Sequence, residues 1–333
     1  MECGLVLVSG PNGAGKTNLL EALHVGTQGF SPRARSDAKL VRFGTAAGRV
    51  AIRGDRDASP FETEITLNVS ETRRARLNGE RLASAEVLRQ SFRTLVFTPD
   101  RLAVVKGGPA IRRAYLDRSV ERLFPARASV PADYTAAVGQ RNAALRRVAA
   151  GASDRAALQP WTLAVAERGR ELVEARSAAI SVLAPAFAAC AERLGLEDGA
   201  IGYDEDAPSV EEHERRLDAD VDRGVTGIGP HLHDVVLTAG GRELRSFGSQ
   251  GEQRTAILAL VLAEAQALAE RTGALPLVLL DDVLSELDAS RRRALAEVLS
   301  SMGQTIVTAT SADLLPAEPA QSLVVSPGAV RPA

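Results

Sequence analysis

The sequence predicts a mixed α/β fold whose nucleotide-binding core is divided along the chain by a helical lobe. A glycine-rich phosphate-binding motif lies near the start, at residues 10–17, and an apolar strand that ends in two aspartates lies near the end, at 276–282. Between them, residues 106–222 are rich in alanine, arginine, leucine and glutamate, which favour helix. We therefore expect residues 1–105 and 223–333 to form the two halves of the nucleotide-binding lobe and 106–222 to form the helical lobe.

The first motif reads Gly-Pro-Asn-Gly-Ala-Gly-Lys-Thr, a full G-x-x-x-x-G-K-[ST] match. A short apolar, β-branched run precedes it and a helical leucine pattern follows it, which is the strand–loop–helix context of a P-loop. Backbone N–H groups of such a loop surround a phosphate at a helix N-terminus. Lys16 can reach the β- and γ-phosphate oxygens, and the Thr17 hydroxyl can ligate Mg²⁺. The predicted nucleotide contacts in this loop are Gly10, Pro11, Asn12, Gly13, Ala14, Gly15, Lys16 and Thr17.

The remaining elements up to residue 222 follow from periodicity and turn residues. Asn78-Gly79 is a strong hairpin signal between strand-like runs, and Pro185 is expected to end or kink a long helix. The acidic stretch at 204–214, which contains a proline, is predicted to be a loop. In chain order we expect strands at 50–52, 62–69, 74–77 and 95–98, and helices at 133–150 and 161–183.

The third segment contains the second nucleotide motif. Strand-like sequence returns at 234–237, followed by a Gly-Gly turn. Further on, the apolar run Pro-Leu-Val-Leu-Leu predicts a buried strand that delivers Asp281 and Asp282 at its carboxyl end, where ligands of open α/β sheets bind. This is a Walker B pattern. Asp281 would bind Mg²⁺, through water, and Asp282 would orient or deprotonate the attacking water.

A phosphate-binding helix end is predicted at Ser249, Gln250 and Gly251, just before a strongly helical stretch. The same residues also fit an ordinary capping box, because Glu252 follows Ser249 by three positions. The two interpretations are compatible, since one serine can cap the helix and also face a phosphate.

Composition excludes several other classes of protein. The 333 residues are 45% hydrophobic and 25% charged, which is ordinary for a globular chain. No apolar run approaches the roughly 20 residues of a membrane span, and no signal peptide is visible. Only two cysteines, Cys3 and Cys190, are present, so neither a disulfide framework nor a CxxC metal site is indicated. We expect a cytoplasmic protein without a membrane partner.

The net charge of −2 gives no overall attraction to nucleic acid, but the cationic residues are almost all arginine and are clustered. Arginine suits phosphate groups, although for any single cluster a solvated helix face is the favoured interpretation. The clusters are Arg33 and Arg35; Arg73, Arg74 and Arg76; Arg112 and Arg113; Arg146 and Arg147; and Arg291, Arg292 and Arg293.

The order of these motifs resembles an ABC-type ATPase, with an S-x-L-D loop at 285–288 closely following the Walker B acids. This resemblance implies that the signature serine of one subunit, here Ser249, caps the γ-phosphate held by the P-loop of another. Nucleotide binding and homodimer formation would then be linked.

Further motifs resemble the RecF family of DNA replication and repair proteins, which is related to SMC head domains. The resemblance implies an ATP-dependent clamp that dimerises with ATP and binds double-stranded DNA and gap junctions. It also implies slow, DNA-stimulated ATP hydrolysis and action with RecR and RecO in loading RecA. The motifs are the P-loop with its helix, Arg76-Leu-Asn-Gly79, Val96-Phe-Thr-Pro-Asp-Arg-Leu102, Lys106-Gly-Gly-Pro109, Arg112-Arg-Ala-Tyr-Leu-Asp117, Gln140-Arg-Asn-Ala143, Gly229-Pro-His231, Phe247-Gly-Ser-Gln-Gly-Glu-Gln-Arg-Thr255, Leu280-Asp-Asp-Val-Leu-Ser-Glu-Leu-Asp288 and Val307-Thr-Ala-Thr310.

The chain departs from the family pattern in three places. Strands that open the sheet before the P-loop in the family are expected to be missing from 1–105. Leu232 and His233 stand where the family has arginine and aspartate; the resulting His-x-His-Asp pattern is interpreted as structural rather than metal-binding. Thr308 or Thr310 occupies the strand end at which ABC ATPases carry a switch histidine, and it is predicted to be a weaker γ-phosphate sensor without a titratable group. No Q-loop glutamine can be assigned.

Two alternatives to the repair clamp remain open from the sequence. One is an ABC-type ATPase subunit of another system, such as a transporter. The other is a nucleotide-gated clamp with negligible hydrolysis, because Asp282 is one methylene shorter than glutamate and would hold water less well.

Overall fold

The structure is a computed structural model that describes residues 1–34, 36–56, 59–204 and 206–333. The chain forms two compact units. The first comprises Met1–Leu102, Arg193–Gly195 and Ile257–Ala333, and the second comprises Ala103–Glu192 and Leu196–Ala256. The predicted division into lobes at 1–105, 106–222 and 223–333 stays a prediction. The compact units differ from it in that residues 223–256 belong to the second unit.

Most helices and strands lie close to the predicted segments, but several are longer. Residues 1–102 form β1 (Leu5–Ser9), α1 (Lys16–Gln28), β2 (Ala47–Arg56), β3 (Ser59–Asn68), β4 (Arg74–Leu77), β5 (Glu80–Arg81), α2 (Glu86–Ser91) and β6 (Thr94–Phe97). The next elements are α3 (Ala103–Lys106), α4 (Pro109–Leu123), α5 (Val130–Ala149), α6 (Gln159–Arg193), β7 (Ala200–Tyr203), α7 (Val210–Arg215), α8 (Leu217–Arg223), β8 (Val235–Ala239), β9 (Arg242–Glu243) and α9 (Leu244–Phe247). The chain continues through α10 (Gln250–Thr272), β10 (Leu277–Leu280), α11 (Ala289–Ser300), β11 (Thr305–Ala309), β12 (Gln321–Ser326) and β13 (Ala329–Pro332).

A six-stranded sheet with the order β13-β12-β1-β11-β10-β6 forms the centre of the first unit. Its strands are parallel except for β13, which pairs antiparallel with β12. The predicted P-loop strand β1 is flanked on both sides, by β11 and β12, and four of its five residues are buried. Because parallel strands end at one edge, this sheet brings together the segments that follow β1, β10 and β11.

Aliphatic side chains from these strands and from α1 make the core beneath that edge. The buried cluster contains Val6, Val8, Ala14, Leu20, Val96, Leu279, Ile306, Leu323 and Val325. Burial on both faces accounts for the continuous apolar runs in β1 and β10, since strands covered on both faces need no polar alternation.

A second, four-stranded antiparallel sheet in the first unit has the order β2-β3-β4-β5. The predicted turn between β4 and β5 is confirmed, because Asn78 and Gly79 both have positive φ angles, 51° and 83°. These angles match the type I′ hairpin that Asn-Gly favours. The Asn78 side chain also accepts a 2.8 Å hydrogen bond from the backbone N–H of Glu62 in β3.

Helices make up most of the second unit, together with the antiparallel sheet β7-β8-β9. Pro185 does not end α6, which continues to Arg193. The segment Arg155–Arg193 is the single described helix with the length and hydropathy of a membrane span. Its buried residues include Val165 and Leu172, which pack against Tyr134 of α5, so the apolar stripe belongs to the core of this unit.

The predicted loop at 204–214 is wrong in its second half, because Val210–Arg215 is helical. Ser209 and Glu212 form a capping box there, a Ser-x-x-Glu pattern that is readable in the sequence. Glu205 lies outside the described residues.

Candidate nucleotide-binding site

The P-loop joins the end of β1 to the start of α1, as predicted. Gly10 lies so close to β12 that a Cβ atom would be 2.4 Å from the carbonyl oxygen of Val325, so only glycine fits. Gly15 caps α1 with a φ angle of 109°, a conformation that L-residues rarely adopt. The loop is therefore shaped by backbone geometry that its glycines permit.

Lys16 is the first residue of α1, and its side chain is only 7% exposed. Its ammonium group donates hydrogen bonds to the carbonyl oxygens of Gly10 (2.7 Å) and Pro11 (3.1 Å). The charge is thus held against the loop at a helix N-terminus, where anions are favoured.

Asp281 follows β10 at the same sheet edge and is 4% exposed. The hydroxyl groups of Thr17 and Thr308 donate hydrogen bonds of 3.0 and 2.9 Å to its Oδ1 atom. The Walker A threonine and the Walker B aspartate that the sequence predicts as metal ligands therefore touch. A hydroxyl and a carboxylate are the oxygen donors that Mg²⁺ uses together with substrate phosphates, so this pair fits the ion.

Asp282 adopts a left-handed backbone conformation with a φ angle of 49°. Its backbone N–H donates to Thr308 Oγ1 at 2.9 Å, and its carbonyl accepts a bond of 3.2 Å from Ser285 Oγ. Its Oδ1 atom is buried and has no hydrogen-bond partner among the described residues. Burial of a carboxylate oxygen without a donor is costly, and such atoms are typical of sites that act on a ligand.

The signature segment lies in the second unit and begins α10. Ser249 and Glu252 form a reciprocal capping box: Ser249 N–H donates to Glu252 Oε2 (2.7 Å), and Glu252 N–H donates to Ser249 Oγ (3.2 Å). Ser249 and Gln250 are exposed, and Gly251 is half-buried. Gln253 fixes the segment against α9, because its buried side chain donates a hydrogen bond of 2.8 Å to the Leu244 carbonyl.

The S-x-L-D loop ends at Asp288, which caps α11 by accepting a 2.9 Å bond from the Arg291 N–H. Hydrogen bonds from Ser290 and from this N–H lower the pKa of Asp288. The carboxylate therefore stays ionised at a helix N-terminus, where negative charge is stabilising.

The side chains of the His-x-His-Asp segment make hydrogen bonds within the second unit, which favours a structural role. His231 Nε2 lies 3.0 Å from the Thr226 carbonyl, so it donates, and Nδ1 accepts from Tyr134 at 2.7 Å. Burial lowers the pKa of His231, which agrees with this neutral tautomer. Asp234 forms a bidentate pair with buried Arg112, at 2.7 and 2.6 Å. Among the described residues there is no group of three or more His, Cys, Asp or Glu side chains placed to hold a metal ion.

The arginine clusters divide into paired and exposed members, while Arg35 lies outside the described residues. Arg73 pairs with Asp37 at 2.8 Å, and Arg33 lies 3.7 Å from Asp100. Within these clusters, three exposed arginines form no side-chain hydrogen bond or ion pair with any described residue: Arg76, Arg147 and Arg293.

Sequence reasoning missed the role of Arg141, which is fully buried in α5. Its guanidinium donates to Asp220 Oδ2 (2.8 Å), Thr226 Oγ1 (2.9 Å) and Thr162 Oγ1 (3.2 Å). The residue therefore links α5 to α6 and α8 within the second unit and is inaccessible from the surface. The pKa of nearby His213 is lowered to about 4, mainly by burial and secondly by the positive charge of Arg141.

The sheet edge with its P-loop and adjacent Walker B acids, and the capped signature helix, define an ABC-type ATPase head of the SMC class. In agreement, an Smc head domain from Pyrococcus furiosus shares the fold with a TM-score of 0.58, at 17% identity over 99% of this chain and 89% of that one. Residues 1–326 match the family described as RecF/RecN/SMC N terminal domain. The chain belongs to the RecF family, because RecF proteins of two bacteria are 38% and 37% identical over 94% and 92% of this chain.

Individual relatives extend over nearly the whole chain. The DNA replication and repair protein RecF of Moorella thermoacetica is 38% identical over 94% of this chain and 86% of its own length. The RecF protein of Myxococcus xanthus is 37% identical over 92% and 84%. A solved structure of the recombination mediator protein RecF with ATP, in the RecFOR pathway, has a TM-score of 0.86 at 27% identity, covering 100% of this chain and 92% of that one.

Proposed function

We propose that this protein is an ATP-dependent DNA clamp that acts in recombinational repair and in the maintenance of replication forks. The single observation that carries the proposal is the contact between Thr17 and Asp281, because it joins the P-loop to the Walker B strand in the first unit. The names of the relatives and the ATP-bound RecF structure support the same function.

ATP is bound by the P-loop, with Lys16 on the β- and γ-phosphates and with the loop N–H groups around them. Thr17 and Asp281, which touch at this sheet edge, would hold Mg²⁺. When bound, the ion neutralises charge that develops on the phosphates. Asp282 orients the attacking water and accepts its proton, and the orphaned Oδ1 atom is the group available for that role.

The site is completed by a second copy of the chain, whose Ser249, Gln250 and Gly251 cap the γ-phosphate. Support comes from the exposed serine at the N-terminus of α10, where a capped helix end favours anions. ATP therefore drives homodimer formation by mass action.

Double-stranded DNA and gap junctions are bound through phosphates, without sequence readout. The exposed arginines Arg76, Arg147 and Arg293 of the sequence clusters are candidates for these contacts. Family membership supports a cytoplasmic protein that acts with RecR and RecO in loading RecA, and it sets aside the transporter alternative.

A slow, DNA-stimulated ATPase is the favoured activity. A clamp with negligible hydrolysis is the second candidate, because the side chain of Asp282 is one methylene shorter than that of glutamate and would hold the attacking water less well.

Gel-shift binding to gapped DNA, measured with and without ATP alongside ATP hydrolysis, tests the proposal. We expect ATP-dependent binding that weakens steeply with salt and hydrolysis that gapped DNA stimulates. If gapped DNA changes neither hydrolysis nor dimer formation, the repair-clamp proposal fails. If DNA binding is ATP-dependent but hydrolysis is absent, the second candidate is correct.

A further inference from the structure

Thr308 lies in β11 and is completely buried, yet its hydroxyl group contacts both Walker B acids. It donates to Asp281 Oδ1 at 2.9 Å and accepts from the Asp282 N–H at 2.9 Å. The directions are fixed, because a backbone N–H only donates and a hydroxyl has a single proton to give.

The strand register places Thr308 at this point. Leu280 of β10 is opposite Val307 of β11, so the next residues of the two strands, Asp281 and Thr308, are neighbours. On its other side, Asp281 continues the ladder through its own N–H, which donates to the Phe97 carbonyl at 2.9 Å. The acid is therefore held by β6 through its backbone and by β11 through its side chain.

Asp282 needs such support because its φ angle of 49° is unfavourable for most L-residues. The N–H of Asp282 donates to the Thr308 hydroxyl rather than to a strand carbonyl. That bond stabilises the left-handed turn that immediately follows the Walker B strand.

We propose that Thr308 is a positioning residue for ATP hydrolysis, in which one hydroxyl group fixes the carboxylate of Asp281 and the backbone of Asp282 together. The inference rests on the proposed ATPase function. Because its proton is committed to Asp281 and its side chain is buried, Thr308 does not contact the γ-phosphate. The sensor role predicted for this strand end therefore falls to Thr310, which is half-buried.

Three variants test the proposal. Thr308→Val keeps the side-chain shape without the hydroxyl, and Thr308→Ser keeps the hydroxyl. Thr305→Val is the matched control, since Thr305 is also completely buried in β11 but, among the described residues, its hydroxyl bonds only the Gly303 carbonyl.

We expect Thr308→Val to lower kcat for ATP hydrolysis by at least about tenfold, while affinity for ATP without Mg²⁺ changes by less than about twofold. The gain in ATP affinity that Mg²⁺ provides should shrink as well. Thr308→Ser should restore both properties, and Thr305→Val should resemble the wild type. Unchanged hydrolysis and Mg²⁺ response in Thr308→Val, or equal losses in the valine and serine variants, would overturn the proposal.

Urea unfolding of the nucleotide-free protein separates this inference from the proposed function. Thr308→Val and Asp281→Ala should shift the midpoint non-additively, because they remove the donor and the acceptor of one hydrogen bond. Additive shifts contradict the positioning role. Failure of the wild type to bind ATP would instead overturn the proposed function, and the unfolding cycle would still decide whether Thr308 holds Asp281.

Discussion

Thr17 Oγ1 donates a 3.0 Å hydrogen bond to Asp281 Oδ1, although 264 positions separate the two residues in the chain. The contact exists because β1 and β10 lie on either side of β11, run parallel to it and end at the same edge of the sheet. It assembles the proposed metal site from the two nucleotide motifs.

Lys16→Ala should weaken ATP binding by roughly 10- to 100-fold, because a charge-assisted contact to phosphate is lost. Binding of a fluorescent ATP analogue measures this loss. Lys39→Ala is the control, since Lys39 is an exposed lysine in the same unit and should bind normally. Equal affinities for the Lys16 variant and the wild type would contradict the P-loop assignment.

Asp282→Asn should lower ATP hydrolysis by about 10²-fold or more, because an amide cannot accept the proton of the attacking water. Asparagine tolerates the left-handed backbone, so the fold and ATP affinity should be retained. The ATP-bound dimer should therefore accumulate, which analytical ultracentrifugation detects. A variant that hydrolyses ATP at the wild-type rate would show that Asp282 is not the base.

Asp220→Ala should destabilise the protein by about 3–5 kcal/mol, because it leaves the buried guanidinium of Arg141 without its carboxylate. Asp218, two positions earlier, pairs with Arg155 through side chains that are 78% and 62% exposed. Its alanine variant should therefore lose less than about 1 kcal/mol. Urea unfolding compares the two variants, and similar losses would refute the structural role of Arg141.

Stability should fall as the pH falls from about 6.5 to 4, in part because of His213. Its pKa is about 4 in the folded protein and close to 6.5 when unfolded, so over this range the unfolded state binds the extra proton. Above pH 6.5, His213 is neutral in both states and does not lower the unfolding free energy. Below pH 4, its full destabilising effect is present. His213→Leu should show a smaller difference in unfolding free energy between pH 7.5 and pH 5 than the wild type. An identical difference would exclude His213 as a source.

The P-loop and the Walker B strand were predictable because their function restricts residue types within short segments. The hairpin at Asn78 was equally predictable, since its turn needs two positive φ angles. The roles of Arg141 and Thr308 were not, because each depends on partners from distant segments. Arg141 lies in a segment whose composition is typical of a solvated helix face. Only the packing of α5 and α8 places it beside Asp220. Which exposed arginines would contact the proposed DNA partner likewise depends on the folded surface rather than on the local sequence.

ATP-dependent dimer formation tests the central claim most directly, and the chain contains a matched control. Ser249 and Ser209 form capping boxes of the same geometry, with bonds of 2.7 and 3.2 Å, so either alanine substitution should cost about 1 kcal/mol of stability. The molar mass in solution should double with ATP for the wild type and Ser209→Ala but stay that of a monomer for Ser249→Ala. A Ser249→Ala protein that still dimerises with ATP, or a wild type that does not, would contradict the shared nucleotide site.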